Sequence, residues 1–264
     1  MKILVFIKQV PDRNARLVLD ASGTGILETD LTWEVNESDR YALETALRIK
    51  ESAGEGEVIV ASVGPERVRK AINSALAMGC DRGIHLVDPD YQGGDPIATA
   101  RALAAAARME EFSLILSGTR SDDDGYGQTS MLVASMLGLP AVFLTIGVEL
   151  AGDGKLRVIR ELERSRQEVL DLPLPAMLGI QSGIHEVRYT SLKGIMAAKK
   201  KPVATPSPAE LGLSLEQIGR NGSRLELLSM SLPEEKSQCE FIEGDASAAA
   251  KSLVEKLRRE AKVL

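Results

Sequence analysis

Short β-rich runs alternate with helix-periodic segments through residues 2–140, and this alternation constrains the fold more than any other feature of the chain. The strand candidates are residues 2–7, 57–63, 83–87 and 113–116. Between them, Ala42, Leu43, Ala46 and Leu47 recur on one helical face, and so do Val68, Ile72, Ala75 and Leu76. Asp95-Pro96 opens a third, alanine-rich helix running to Met109, with Asp95 as cap and Pro96 in the first turn. Segments of this kind bury a parallel sheet between two helical layers. Aromatics make up only 3% of the chain against 44% hydrophobic residues, so the interior must be Ala, Val, Ile and Leu, as buried parallel sheets require. The expected fold class is α/β, a Rossmann-like, doubly wound and mostly parallel sheet. Its crossovers should be right-handed, with ligands at the carboxyl ends of the strands. Those ends fall at residues 7–8, 62–64 and 117–120, beside a helix start at Asn36-Glu37-Ser38-Asp39.

Outside this alternation the pattern loosens. Pro11 is expected to stop pairing after the first strand, and residues 12–32 read as a polar excursion. Beyond 140, two extended runs, 141–150 and 156–170, flank Gly152-Asp153-Gly154 as a hairpin, and residues 173–180 form another buried run. A Pro/Ser-rich linker at 202–208 leads to a closing helix from about Ala246, with Ala250, Leu253, Val254, Leu257 and Ala261 on one face. The expected division is a domain at 1–202 and a C-terminal arm with its helix at 203–264.

Catalytic equipment is thin. The two histidines, His85 and His185, are far apart, and Cys80 and Cys239 show no metal or redox spacing. No nucleophile elbow and no phosphate loop ending in Gly-Lys-Ser/Thr occurs. A net charge of −6 speaks against nucleic acid as a partner. No long apolar run or charged-then-apolar leader is visible, so a cytoplasmic chain without membrane insertion is expected.

Two segments carry candidate chemistry. Residues 118–130, Gly-Thr-Arg-Ser-Asp-Asp-Asp-Gly-Tyr-Gly-Gln-Thr-Ser, lie between a strand and a helix candidate at 131–138. The N–H groups and dipole of a helix start favour an anion in such a turn. Gly125 and Gly127 allow close backbone approach, while Gln128, Thr129 and Ser130 offer donors. Asp122, Asp123 and Asp124 would accept from ribose hydroxyls or bind Mg²⁺, or simply solvate an ordinary βα turn. The second segment, 187–201, sets Tyr189, Leu192, Ile195 and Met196 among cations. It suits either docking to an acidic or apolar groove of another protein or an amphipathic helix lying on its own domain.

Several motifs in one order decide between these readings. They are Lys8-Gln9-Val10-Pro11-Asp12, Asn36 with Asp39, Ala42, Glu44 and Ala46, and Ser62-Val63-Gly64-Pro65. They continue with residues 75–82, Gly127-Gln128, Leu137-Gly138 with Pro140, and Arg188-Tyr189 through Gly194-Ile195-Met196 and the lysines that follow. With them the chain resembles the beta (small) subunit of electron transfer flavoproteins over nearly its whole length.

The resemblance implies an adenine nucleotide alpha hydrolase-like fold and a heterodimer with a larger alpha subunit that binds most of a redox-active FAD. It implies a structural AMP on this chain. Its contacts would be Phe6, Asn36, Glu37, Ser38, Asp39, Val63, Asp123, Asp124, Gly125, Tyr126, Gly127, Gln128, Thr129, Ser130, Met131 and Ala134. It also implies that Leu192, with Tyr189, Ile195 and Met196, anchors flavin dehydrogenases of the acyl-CoA type, as in fatty acid oxidation, with electrons passed on to a quinone oxidoreductase. The C-terminal arm would pack on the alpha subunit. On this reading no residue here performs bond chemistry. Two departures stand out. Arg164 and Ser165 occupy a position where the family often has Gly-Gly, and Arg13 or Ser38 stands where some members bring an aromatic to the flavin. Alternatives are a bifurcating subunit with a second FAD in place of AMP and NADH as donor, an adenylyl-transferring module, and a nucleotide sensor.

Overall fold

The computed structural model describes residues 1–233 and 239–263. Residues 234–238 and 264, which the sequence places in the C-terminal arm, lie outside the described residues. Two compact units are present, Met1–Leu228 and Ser229–Leu264.

The first unit is built on a nine-stranded sheet. Its strands are β1 (Lys2–Phe6), β4 (Glu57–Val63), β5 (Arg82–Leu86), β6 (Leu114–Gly118), β7 (Ala141–Gly152), β8 (Lys155–Glu161), β9 (Gln167–Pro173), β10 (Ala176–Ile180) and β11 (Val203–Ala204). Strands β2 (Gln9–Pro11) and β3 (Trp33–Val35) form a separate antiparallel ribbon. In the large sheet the order is β11-β5-β4-β1-β6-β10-β7-β8-β9, parallel from β11 to β7 and antiparallel from β7 to β9.

The two helical layers follow from the pleat. Ile3 and Val5 of β1 pack with α1 (Glu37–Ala53) and α2 (Arg69–Met78). Leu4 and Phe6, one residue out of phase, pack with α3 (Pro96–Ala107) and α4 (Thr129–Leu137). Both faces of the parallel strands are thus covered, and alanine-rich α3 lets its backbone come close to the sheet. The cap at α3 is as the sequence suggests: Asp95 accepts from the Ile97 and Ala98 N–H groups at 2.9 Å. A short helix, α5 (Leu192–Ala198), lies against α2.

Three expectations need correction. The run 156–170 is not one strand but two, β8 and β9, joined by a turn at Glu163–Ser165. That turn contains no Gly or Pro to announce it. Pro11 does not stop pairing, because it closes the β2–β3 ribbon opposite Trp33, at an end where no ladder N–H is needed. The break after 202 belongs after Leu228. Val203 and Ala204 extend the sheet beside β5, and Ile218, just before α6 (Gly219–Gly222), is buried in the α3 layer. Arg101 of α3 donates to the Gln217 and Gly222 carbonyls at 3.2 and 3.3 Å. The second unit begins only at Ser229 and contains α7 (Ala246–Arg259), whose cap Asp245 accepts from Ala248 N–H at 2.8 Å. Of the two cysteines, Cys80 is buried and Cys239 exposed. Among the described residues no helix is long and apolar enough to cross a membrane.

The β8–β9 turn carries the two residues that stand where the resemblance implies a Gly-Gly pair. Arg164 and Ser165 both sit in the left-handed region, at φ 59° and 57°. A side chain costs about 1–2 kcal/mol there, part of which glycine returns through its freer unfolded chain. The double variant Arg164→Gly/Ser165→Gly is expected to gain on the order of 1 kcal/mol in denaturant unfolding. A loss would show that the two side chains make stabilising contacts that outweigh the strain.

Candidate functional site

The site starts from one buried carboxylate. Asp39, in the first turn of α1, accepts from the Lys8 N–H at 2.7 Å and the Gly118 N–H at 2.8 Å, using one oxygen for each. It thereby joins the helix start to the carboxyl ends of β1 and β6. Burial pushes its carboxyl up to about 7, against the pull of both N–H donors. Two neighbours complete the junction. The Asn36 amide donates to the Arg120 carbonyl at 3.0 Å and accepts from Asp122 N–H at 2.9 Å, while the Ser38 hydroxyl donates to Arg120 O at 2.9 Å. Gly118 fits only as glycine. A Cβ there would strike the Ser38 and Asp39 side chains and lie 2.8 Å from the Asp39 backbone nitrogen.

The acidic turn is neutralised from within. Lys8 Nζ bonds Asp123 and Asp124 at 2.8 Å each. These contacts raise the lysine against the cost of its burial and hold Asp123 below its ordinary range. Arg13 pairs with Glu37, and lies 3.4 Å from Asp122. Among the described residues no cluster of His, Cys, Asp and Glu is arranged to hold a metal ion. Gly125 and Gly127 take φ of 65° and 62°, which bends the turn back toward α4. Helix α4 then begins with no side-chain cap, its first N–H groups open, and the Ser130 hydroxyl lies 2.6 Å from that of Ser117.

These turns enclose a cavity of about 510 Å³ at the carboxyl edge of the sheet. Of the residues singled out from the sequence, Phe6, Asn36, Asp39, Val63, Asp124, Tyr126, Gly127, Gln128, Thr129 and Ser130 line it. Glu37, Ser38, Asp123, Gly125, Met131 and Ala134 do not. Ser38 and Asp123 act behind the wall through the bonds above, Glu37 faces Arg13, and Ala134 is buried in the core under α4. Since Ser38 is buried, Arg13 is the exposed one of the two positions compared with the flavin-facing aromatic.

Several lining residues were not singled out as site residues. Lys8 and Arg120 belong to strand-end turns that the topology already marks, and the Gly93–Pro96 stretch is the entry to α3 beyond β5. Glu28 and Arg67 carry no such signal. They meet across the mouth at 3.0 Å, with the Arg67 guanidinium 3.4 Å above the Trp33 ring. His85 does not line the crevice and instead bonds the Gly64 carbonyl at 3.0 Å, a contact within the fold.

A second surface lies elsewhere in the unit. Tyr189, Leu192 and Met196 are 97%, 82% and 70% exposed, and Ile195 44%, on and just before α5. Large apolar side chains displayed together in this way are uncommon on a surface without a partner.

A crevice at the strand carboxyl ends, floored by a Gly-bearing turn into an uncapped helix, defines a doubly wound α/β fold with its crevice where such sheets take their ligands. Comparison with known proteins narrows this. The family model described as Electron transfer flavoprotein domain matches residues 24–211. The chain is 35% identical to electron transfer flavoprotein subunit beta of Methylophilus methylotrophus over 257 residues, covering 97% of each chain. It is 38% identical to that of Syntrophomonas wolfei, covering all of this chain and 98% of the relative. It is 34% identical to the human subunit, covering 95% of this chain and 96% of the relative. The chain belongs to the electron transfer flavoprotein beta-subunit family.

Two outcomes test the junction. Gly118→Ala should destabilise the fold by about 1–3 kcal/mol in urea unfolding, because the clash includes a helix backbone atom as well as the Ser38 and Asp39 side chains. A cost near zero would show that α1 can shift. The Asp39 value lies above its ordinary 3.8, so its favourable contribution is complete below that pH and is lost as pH rises toward 7. The stability difference between the native chain and Asp39→Asn should therefore fall from about pH 4 to about pH 7 and then level. A difference that grows with pH would mean that the N–H donors outweigh burial.

Proposed function

We propose that this chain is the smaller half of a heterodimeric electron carrier, with an AMP held structurally in its crevice and a docking segment for the electron donor at 189–199. FAD, bound mainly by the larger alpha subunit, supplies the redox chemistry when bound. Electrons arrive from flavin dehydrogenases of the acyl-CoA type and leave toward a quinone oxidoreductase.

The residues fit a nucleoside monophosphate. The open N–H groups of α4, the Thr129 and Ser130 hydroxyls and the Gln128 amide would hold its phosphate. Phe6 and Val63 would face the base, and Asn36 would line the ribose side. The crevice volume lies within the range of small-ligand sites. The arm at 229–264 would pack on the alpha subunit.

One observation carries the reading: the crevice and the apolar tip are separate, and the crevice's Lys8, Asp39, Asp124, Glu28 and Arg67 are each engaged within the fold. Lys8 answers Asp123 and Asp124, and Asp39 answers two backbone donors, which leaves structure rather than turnover as their work. The tip projects Leu192 into solvent within a frame of Lys193, Lys199 and Lys200, as a plug for an apolar socket with an acidic rim.

In the assembled heterodimer, Leu192→Ala should lower kcat/KM for reduction by an acyl-CoA dehydrogenase roughly 30-fold, with bound nucleotide unchanged. Raising the ionic strength should raise KM for the same pair through screening of the lysine frame. Unchanged kinetics in Leu192→Ala would remove the docking role.

A further inference from the structure

The exposed segment leaves the domain between two fixed points. At its start, Arg188 reaches α1. Its guanidinium lies 2.8 Å from Glu44 through Nε and 2.7 Å from Glu51 through Nη1, and its backbone N–H also donates to Glu44 at 3.2 Å. The Glu44 side chain is only 2% exposed. Burial works against its charge, yet the bonds from Arg188 and Arg48 outweigh that and hold it at about 2. At the other end, Lys201 Nζ donates to the Leu76 carbonyl at 2.9 Å and the Cys80 carbonyl at 2.6 Å, where α2 ends. A cation there also meets the negative end of the helix dipole.

Between these points the segment rests on α2 at Gly194, where a Cβ would lie 2.5 Å from the Ala77 carbonyl. A seven-residue helix such as α5 has little stability of its own, so its shape depends on what holds its ends. Without the clamps, ordering the segment would cost free energy at the moment of docking.

We propose that Arg188 and Lys201 are positioning residues that clamp the two ends of the 189–200 segment, so that Leu192 is presented to the donor protein already ordered. The clamp rests on the reading of this segment as the docking surface. Arg188 suits its end because a planar fork can bind two carboxylates at once, which a lysine cannot.

The test uses the assembled heterodimer. Amide hydrogen exchange across 189–198 is followed together with KM and kcat for reduction by an acyl-CoA dehydrogenase, in Arg188→Lys, Lys201→Met and Leu192→Ala. Each clamp variant is expected to speed exchange roughly ten-fold and raise KM by a similar factor with kcat unchanged. Leu192→Ala is expected to raise KM and leave exchange as it was. Glu51→Gln removes only the exposed partner of Arg188 and should move both readouts in the same direction by less. It serves where Arg188→Lys does not fold. Unchanged exchange in the clamp variants overturns the clamp. Faster exchange with unchanged KM, where Leu192→Ala does raise KM, overturns its role in docking. A flat KM in Leu192→Ala removes the docking reading and the proposal with it, while the exchange data still report whether the segment is held.

Discussion

The buried carboxylate of Asp39 is the contact on which the rest of the crevice depends. It satisfies two backbone N–H groups, one at the end of β1 and one at the end of β6, that the sheet itself leaves open. An unpaired buried N–H costs about 1–3 kcal/mol, so a carboxylate serving two of them offsets much of its own desolvation. Its position in the first turn of α1 then fixes where Asn36 and Ser38 fall, and through them the Arg120 carbonyl and the course of the acidic turn. The close fit of Gly118 against the same helix turn follows from this geometry.

Helix α1 contributes to both surfaces of the unit. Its first turn forms one wall of the crevice, and its middle carries Glu44 and Glu51, which receive Arg188. The two uses of charge differ. At the crevice, carboxylates and a lysine neutralise one another beside a wall that presents N–H and hydroxyl donors. At the apolar tip, the cations Lys193, Lys199 and Lys200 frame the exposed side chains. The proposed structural nucleotide would draw on the first arrangement, and the proposed plug for another protein's socket on the second.

Much of the fold was legible because local signals agreed with the global pattern. The run at 57–63 became β4 with the same bounds, and Asp95-Pro96 opened α3. The strand-end turns that line the crevice followed from topology alone. What escaped had no local signature. The Arg164-Ser165 reversal lacks the glycines that would announce a left-handed turn, so two strands read as one. Val203 and Ala204 are two residues after a proline, and only their pairing with β5 makes them a strand. Glu28, Arg67 and Trp33 meet at the crevice mouth from stretches far apart in sequence, as do Lys8 and the aspartates. Ala134 shows the converse, since the family resemblance implied a nucleotide contact there while its helical phase turns it into the core.

The crevice is proposed to hold a structural nucleotide apart from the redox flavin. The direct measurement is to purify this chain with its co-expressed large subunit, denature the complex, and quantify the released nucleotides by chromatography and mass. One FAD and one AMP per heterodimer is the predicted result. Two FAD and no AMP, or a heterodimer releasing FAD alone, would contradict it.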